Sequence, residues 1–245
     1  SSLHTFDVWA DSLKKTNRVI RMDLPAYGLT GAFPDQNYSM TNYIVFLKDF
    51  LSALGVKKCI LAGNSLGGQI AWNFTLEQPN TVAKLILIDA AGYPKKSKSE
   101  PLAFKVAKTP VLNKVLTYIT PRFLVRASVE NVYFNTSKVT DSLVDRYFEL
   151  TLRSGNRQAF VDRFKMSEDA SSLTKIKDIQ QPTLILWGAK DLLIPVQHAY
   201  KFQEDLPNDT LVIVDNTGHT PMEESPLESL IPVINFIHKQ HVGND

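Results

Sequence analysis

The chain has 245 residues, 44% hydrophobic and 21% charged, enough to bury a sizeable core as one domain with an insertion. Its 27 basic and 25 acidic residues leave a formal charge of +2, which excludes the dense basic surface of a nucleic-acid binder. A single cysteine, Cys59, excludes an intrachain disulfide framework, and no apolar run reaches the ~20 residues of a membrane span.

In chain order, residues 6–15 read as a helix. Residues 39–54 form a second predicted helix, with Tyr43, Phe46, Leu47, Phe50, Leu51 and Leu54 at helical spacing and Gly55 as its stop. A strand over 57–62 carries Cys59 as inert core, and a helix over 69–77 ends before Pro79. Pro182 to Trp187 (PTLILW) is a near-continuous apolar run, as a strand buried on both faces requires, and Lys84 to Asp89 (KLILID) and Thr210 to Val214 (TLVIV) read as further strands. Alternating strands and helices imply a mostly parallel sheet with helices on both faces. Between Gly92 and Pro182 the alternation stops. Tyr93 to Met166 is charged and helix-prone, broken at Pro101, Pro110 and Pro121. Its apolar residues (Phe104, Val111, Leu112, Leu116, Ile119, Phe123, Leu124, Val132, Tyr133 and Phe134) are expected to form a core of their own, with some facing a pocket. Lys95, Lys96 and Lys98 read as a solvated face.

The chemistry concentrates at Gly63-Asn64-Ser65-Leu66-Gly67, which fits G-x-S-x-G between a strand and a helix. Such a turn exposes the serine hydroxyl at the sheet's edge, and its glycines relieve the crowding. The segment lacks both the G-x-G-x-x-G spacing and the lysine of nucleotide loops. A nucleophilic serine needs a base, and the base an orienting acid. Asp191 lies just past the 182–187 strand and His219 just past the 210–214 strand, so both fall at the strand ends where ligands bind. Asp89 is a rival acid at another strand end; Asp191 is preferred because a loop residue reaches sideways to a histidine one strand along. His4, His198, His238 and His241 fall on predicted helices or termini, where packing or solvated histidines are the rule.

Five ordered blocks, RMDLPAYG from Arg21, GNSLGG from Gly63, LILIDAAG from Leu85, PTLILWGAKD from Pro182 and GHTPMEESP from Gly218, resemble the α/β-hydrolase fold superfamily over nearly the whole chain. Ala26 and Thr30 depart from the Gly and Ser of the first block. The resemblance implies an α/β hydrolase core in two parts, 1–92 and 167–245, with 93–166 inserted as a helical lid. It implies Ser65 as nucleophile, His219 as general base, Asp191 as orienting acid, and the Leu66 backbone N–H as one oxyanion donor. The second donor belongs to a strand expected upstream of Ser1, because the first three strands of the family have no counterpart here. The resemblance makes residues 18–24 the family's next strand and leaves a gap between it and 57–62, expected to be filled by an upstream segment of the same gene product. A serine at position 65 argues against the aspartate-dependent dehalogenases and epoxide hydrolases of this fold. The expected activity is hydrolysis of a small-molecule carboxylic ester through an acyl-enzyme, with no cofactor and no metal. Two alternatives stand beside it: a C–C bond hydrolase of ring-cleavage diketones, whose elbows also read G-N-S-x-G-G, and a non-catalytic ligand-binding protein.

Overall fold

The computed structural model of the protein describes residues 2–94, 98–166 and 172–239. Lys95, Lys96 and His241 lie outside the described residues. Four strands, β1 (Cys59–Asn64), β2 (Val82–Ile88), β3 (Thr183–Gly188) and β4 (Asp209–Val214), pair in sequence order, all parallel. Asn64 stands opposite Ile88, Ile88 opposite Leu186, and Leu186 opposite Val212, so the carboxyl ends lie along one edge.

Alternation along the strands divides the core in two. Leu85, Leu87, Ile185 and Trp187 pack with Tyr43, Leu47, Trp72, Phe74 and Phe202, which come from α2 (Met40–Ala53), α3 (Leu66–Glu77) and α9 (Gln197–Asp205). Ile86, Ile88, Leu184 and Leu186 point the other way, to Trp9, Leu230, Val233 and Phe236, from α1 (Asp7–Leu13) and α11 (Pro226–His238). Every residue of β3 is buried, as a central strand covered on both faces requires. Local signals set the helix ends. The Ser39 side chain caps α2 by accepting from Asn42 N–H at 3.3 Å, and Gly55 follows it at φ +66°.

Residues 18–24, expected as a strand, run without strand pairing, because no neighbouring strand offers them hydrogen-bond partners. β1 pairs on one side only, with β2. Both segments line one cavity of about 1000 Å³, which continues past Ser65 and His219. Val19, Ile20 and Met22, apolar residues of a strand-like run, are consequently half-buried or exposed.

Between β2 and β3 the described chain is helical: α4 (Leu102–Lys108), α5 (Leu112–Tyr118), α6 (Arg122–Val132), α7 (Asp141–Thr151) and α8 (Asn156–Arg163). Their packing corrects one expectation. Leu116 and Leu124 are buried with Ala107 and Val161, and Tyr133 with Val125, Val129 and Val144. Val111, Leu112, Ile119, Phe123 and Phe134 are exposed. Helices of two or three turns, separated at Pro110 and Pro121, cover one side of a small cluster and leave their other side uncovered.

Phe202 is fully buried, its ring 4.9 Å from Tyr93 and 6.2 Å from Trp187. Phe202→Ala should cost about 3–5 kcal/mol in urea unfolding; a loss below about 1 kcal/mol would contradict this packing.

Candidate active site

Ser65 closes β1 and caps α3 with φ +55° and ψ −118°, a strained backbone for a residue bearing a side chain. Its neighbours hold it there. Ser65 N–H donates to the Ile88 carbonyl at 3.0 Å, and the Ser65 carbonyl accepts from Gln69 and Ala91 N–H, both at 3.0 Å. The glycines answer to crowding. A Cβ at Gly63 would stand 2.2 Å from the Gly67 carbonyl oxygen, and one at Gly68 2.5 Å from the Ala90 Cβ. α3 begins at Leu66, three residues earlier than its sequence pattern suggests. The Leu66 N–H is therefore among the first of a helix, without an intrahelical acceptor.

Asp191 and His219 meet across adjacent loops. Gly188 permits this, since a Cβ there would lie 1.9 Å from the Gly218 carbonyl oxygen. The His219 ring Nδ1 stands 2.6 Å from Asp191 Oδ2, and both side chains are buried. Asp191 Oδ1 accepts from Leu193 N–H at 2.7 Å and Ile194 N–H at 2.9 Å, which fixes the carboxylate. With Nδ1 donating to the carboxylate, His219 Nε2 is left as an acceptor. Ser65 and His219 line the same cavity; among the described residues, no hydrogen bond joins the Ser65 hydroxyl to the ring.

Asp89, the rival acid, makes no hydrogen bond to the histidine. It is wholly buried at φ +42°, and its Oδ1 accepts from Gly188 N–H at 3.0 Å. Burial first, then the neighbouring Asp191 carboxylate, raise its pKa well above the usual carboxylate range. Asp89, Asp191 and His219 bring their ligand atoms within 4.8 Å of one another, the one such group among the described residues. The histidine–carboxylate hydrogen bond already engages two of the three. Of the other histidines, His4 sits 3.6 Å from Asp7, and His198 is buried beside the Tyr93 ring.

Two positioning residues escape sequence reasoning. Asn64 Nδ2 donates to the carbonyls of Ile88 at 3.2 Å and His219 at 3.0 Å, tying the elbow to the histidine loop. Glu224, buried in the short α10 (Pro221–Glu224), accepts from Gly218 N–H at 2.7 Å, Asn135 N–H at 2.7 Å and Phe134 N–H at 3.2 Å. His219 N–H itself donates to the Val132 carbonyl at 2.8 Å. The histidine loop is thus pinned to the end of α6. Asn64 occupies a variable position of the elbow pattern and Glu224 an unremarkable one of GHTPMEESP; only their neighbours in space reveal what they hold.

The profile of the alpha/beta hydrolase fold family matches residues 1–226. The chain belongs to that family. It is 26% identical over 226 residues to YugF, an uncharacterized hydrolase of Bacillus subtilis, covering 92% of this chain and 82% of that one. It is 27% identical over 213 residues to a 2-hydroxy-6-oxo-2,4-heptadienoate hydrolase of Pseudomonas putida, covering 84% and 73%. Among solved structures, a candidate lipase of Acinetobacter baumannii superposes with a TM-score of 0.81 at 26% identity, over 97% of this chain and 80% of that one.

The folded state holds the Asp89 proton to a higher pH than the unfolded chain, whose aspartates titrate near about 3.9. This contribution is complete below that value and is lost as pH rises toward the folded pKa. Asp89→Asn keeps an acceptor for Gly188 N–H and removes the loss. Its stability relative to the parent should therefore grow between about pH 4 and about pH 7 in urea titrations; parallel pH profiles would overturn the assignment.

Proposed function

We propose that the protein is a serine hydrolase that cleaves carboxylic esters through an acyl-enzyme, with Ser65 as nucleophile, His219 as base and Asp191 as orienting acid. The observation that carries this reading is the buried 2.6 Å contact from His219 Nδ1 to Asp191, on the cavity that Ser65 also lines. Ser65 Oγ attacks the ester carbonyl and His219 Nε2 takes its proton. The Leu66 N–H supports the oxyanion that forms. The alcohol leaves with the proton from His219, and water then releases the acid by the same steps.

The walls favour an acyl chain. α4, α5, α6 and α8 act as a lid in this reading and turn Phe104, Leu116, Leu124, Val125, Val129 and Phe160 to the cavity. Among the described residues lining it from α4 to α8, Arg157 is the one charge, and its guanidinium is engaged by the Tyr118 carbonyl. The second reading, C–C bond hydrolysis, is favoured by the Pseudomonas putida relative, named for a dienoate. A dienoate carries a carboxylate, for which the helical wall offers Arg157 and the rest of the cavity Arg18, Arg21, Lys57 and Lys58. A binding protein remains the third reading, and a fluorophosphonate probe separates it by failing to label Ser65.

On a panel of short to long acyl esters plus a vinylogous diketone, turnover should be highest on an ester. Ser65→Ala and His219→Ala should each cost several decades, Asp191→Asn less, and Asp89→Asn least. Turnover of the diketone alone would transfer the protein to the second reading. Greater damage from Asp89→Asn than from Asp191→Asn would refute the acid.

We also infer that a strand from polypeptide ahead of Ser1 occupies the cavity between residues 18–24 and β1 and supplies the second oxyanion donor. The inference is supported by one apolar strand-like run and one half-paired strand flanking a single cavity. The segment is sized at roughly 30–60 residues, three strands of about 5–6 residues with their turns. Started at Ser1, the chain should be molten and inactive by circular dichroism and ester assay, while intact-mass analysis of the natural protein should reveal the added segment. Cooperative unfolding and full turnover of a protein spanning only Ser1 to Asp245 would exclude it.

A further inference from the structure

The helices that roof the cavity are apolar on both sides. Their inner side brings Phe104, Leu116 and Leu124 to the cavity. Their outer side presents Val111 at 69% exposure, Tyr118 at 79%, Ile119 at 62% and Phe123 at 67%, with Leu112 and Val115 beside them. A helix whose only apolar contact is the core it covers carries charge on its other face. A run of large apolar side chains left in water marks a surface that meets an apolar partner.

The charges around this patch narrow the partner. Residues 101–121 hold Lys105, Lys108 and Lys114 and no acid, in a chain whose 27 basic and 25 acidic residues nearly balance. Lys108 pairs with Glu100. Lys105 and Lys114 are exposed, with no ion pair among the described residues. A second copy of the chain meeting this surface across a two-fold axis would set these lysines against each other. The exposed side chains sit on the seven-residue α5, at the start of α6 and on the joints at either end of α5, where Val111 and Ile119 lie. A bilayer accepts such protruding groups without matching their shape. Tyrosine with a wet hydroxyl, surrounded by aliphatics and lysines, is the composition of an interfacial anchor. No helix among the described residues is long and apolar enough to cross a membrane.

We propose that the outer face of α4, α5 and the start of α6 docks on an anionic phospholipid surface. The apolar side chains enter the acyl boundary, and Lys105 and Lys114 face the headgroups. This inference stands apart from the chemistry assigned to Ser65, because it concerns binding and can be read without turnover.

The test is flotation of the full-length protein with phosphatidylcholine vesicles, with and without about one-third phosphatidylglycerol. The protein should float with the anionic vesicles, less with the neutral ones, and less again as salt rises. The Val115→Asp, Ile119→Asp pair should weaken binding about tenfold or more, and so should the Lys105→Glu, Lys114→Glu pair. Both pairs lie on exposed positions, and matching thermal unfolding establishes that each is folded; should the aspartate pair unfold, the lysine pair decides alone. Three results would overturn the proposal: no flotation with anionic vesicles, flotation that neither pair weakens, or a dimer in sedimentation that the aspartate pair abolishes while vesicles are not bound. Capture of an acidic protein by the same face, with no flotation, would count equally against it.

Discussion

Parallel pairing of four strands in sequence order governs everything at this site. With Asn64, Ile88, Leu186 and Val212 nearly level, each following loop leaves the sheet at the same edge. Residues far apart in the chain then need only short excursions to meet. Ser65 ends its strand directly, Asp191 stands three residues past Gly188, and His219 five past Val214. The register depends on the two-sided alternation in β2 and β3, since slipping a strand by one residue would send Leu85 and Leu87 to the face of Ile86 and Ile88. Packing of the core and placement of the site are consequences of one pattern.

Much of this was legible beforehand, for a physical reason. A buried parallel strand writes itself as an apolar run, as PTLILW does most fully, while KLILID and TLVIV also gave strands, the latter half-buried at the edge of the described sheet. The positions of Ser65, Asp191 and His219 just past the ends of β1, β3 and β4 follow from the same runs. The strand over 18–24 was implied by the family resemblance rather than by an apolar run, since Arg18, Arg21 and Asp23 interrupt it, and it depended on a neighbour that its own residues cannot report. The helical segment was misread for a related reason. Apolar content shows that a helix has something to cover, not which side is covered, and Val111, Ile119 and Phe123 are exposed where a private core was expected.

The supporting polar groups were illegible because their partners are backbone atoms. An asparagine beside a serine carries no mark of the carbonyl it will meet 155 positions later. Asp89 illustrates the same limit. Sequence could place it at a strand end, but the upward push on its pKa comes from complete burial and then from the nearby Asp191 carboxylate. Composition speaks of surfaces and cores; the state of a proton belongs to a particular crowd of atoms.

The bonds from Val132, Phe134 and Asn135 to the histidine loop give distance an unusual meaning here. Gly218 and His219 are moored to the end of α6 through the Val132 carbonyl and the Glu224 carboxylate. A change in the seating of α6 therefore reaches the imidazole through rigid hydrogen bonds, even where the altered residue touches neither the ring nor the cavity. Sequence variation in this segment is constrained by tolerance, as in a machined part: a helix of altered length or tilt shifts the ring that its last turn holds. Remoteness from Ser65 is thus a poor measure of how freely a residue of α6 can vary.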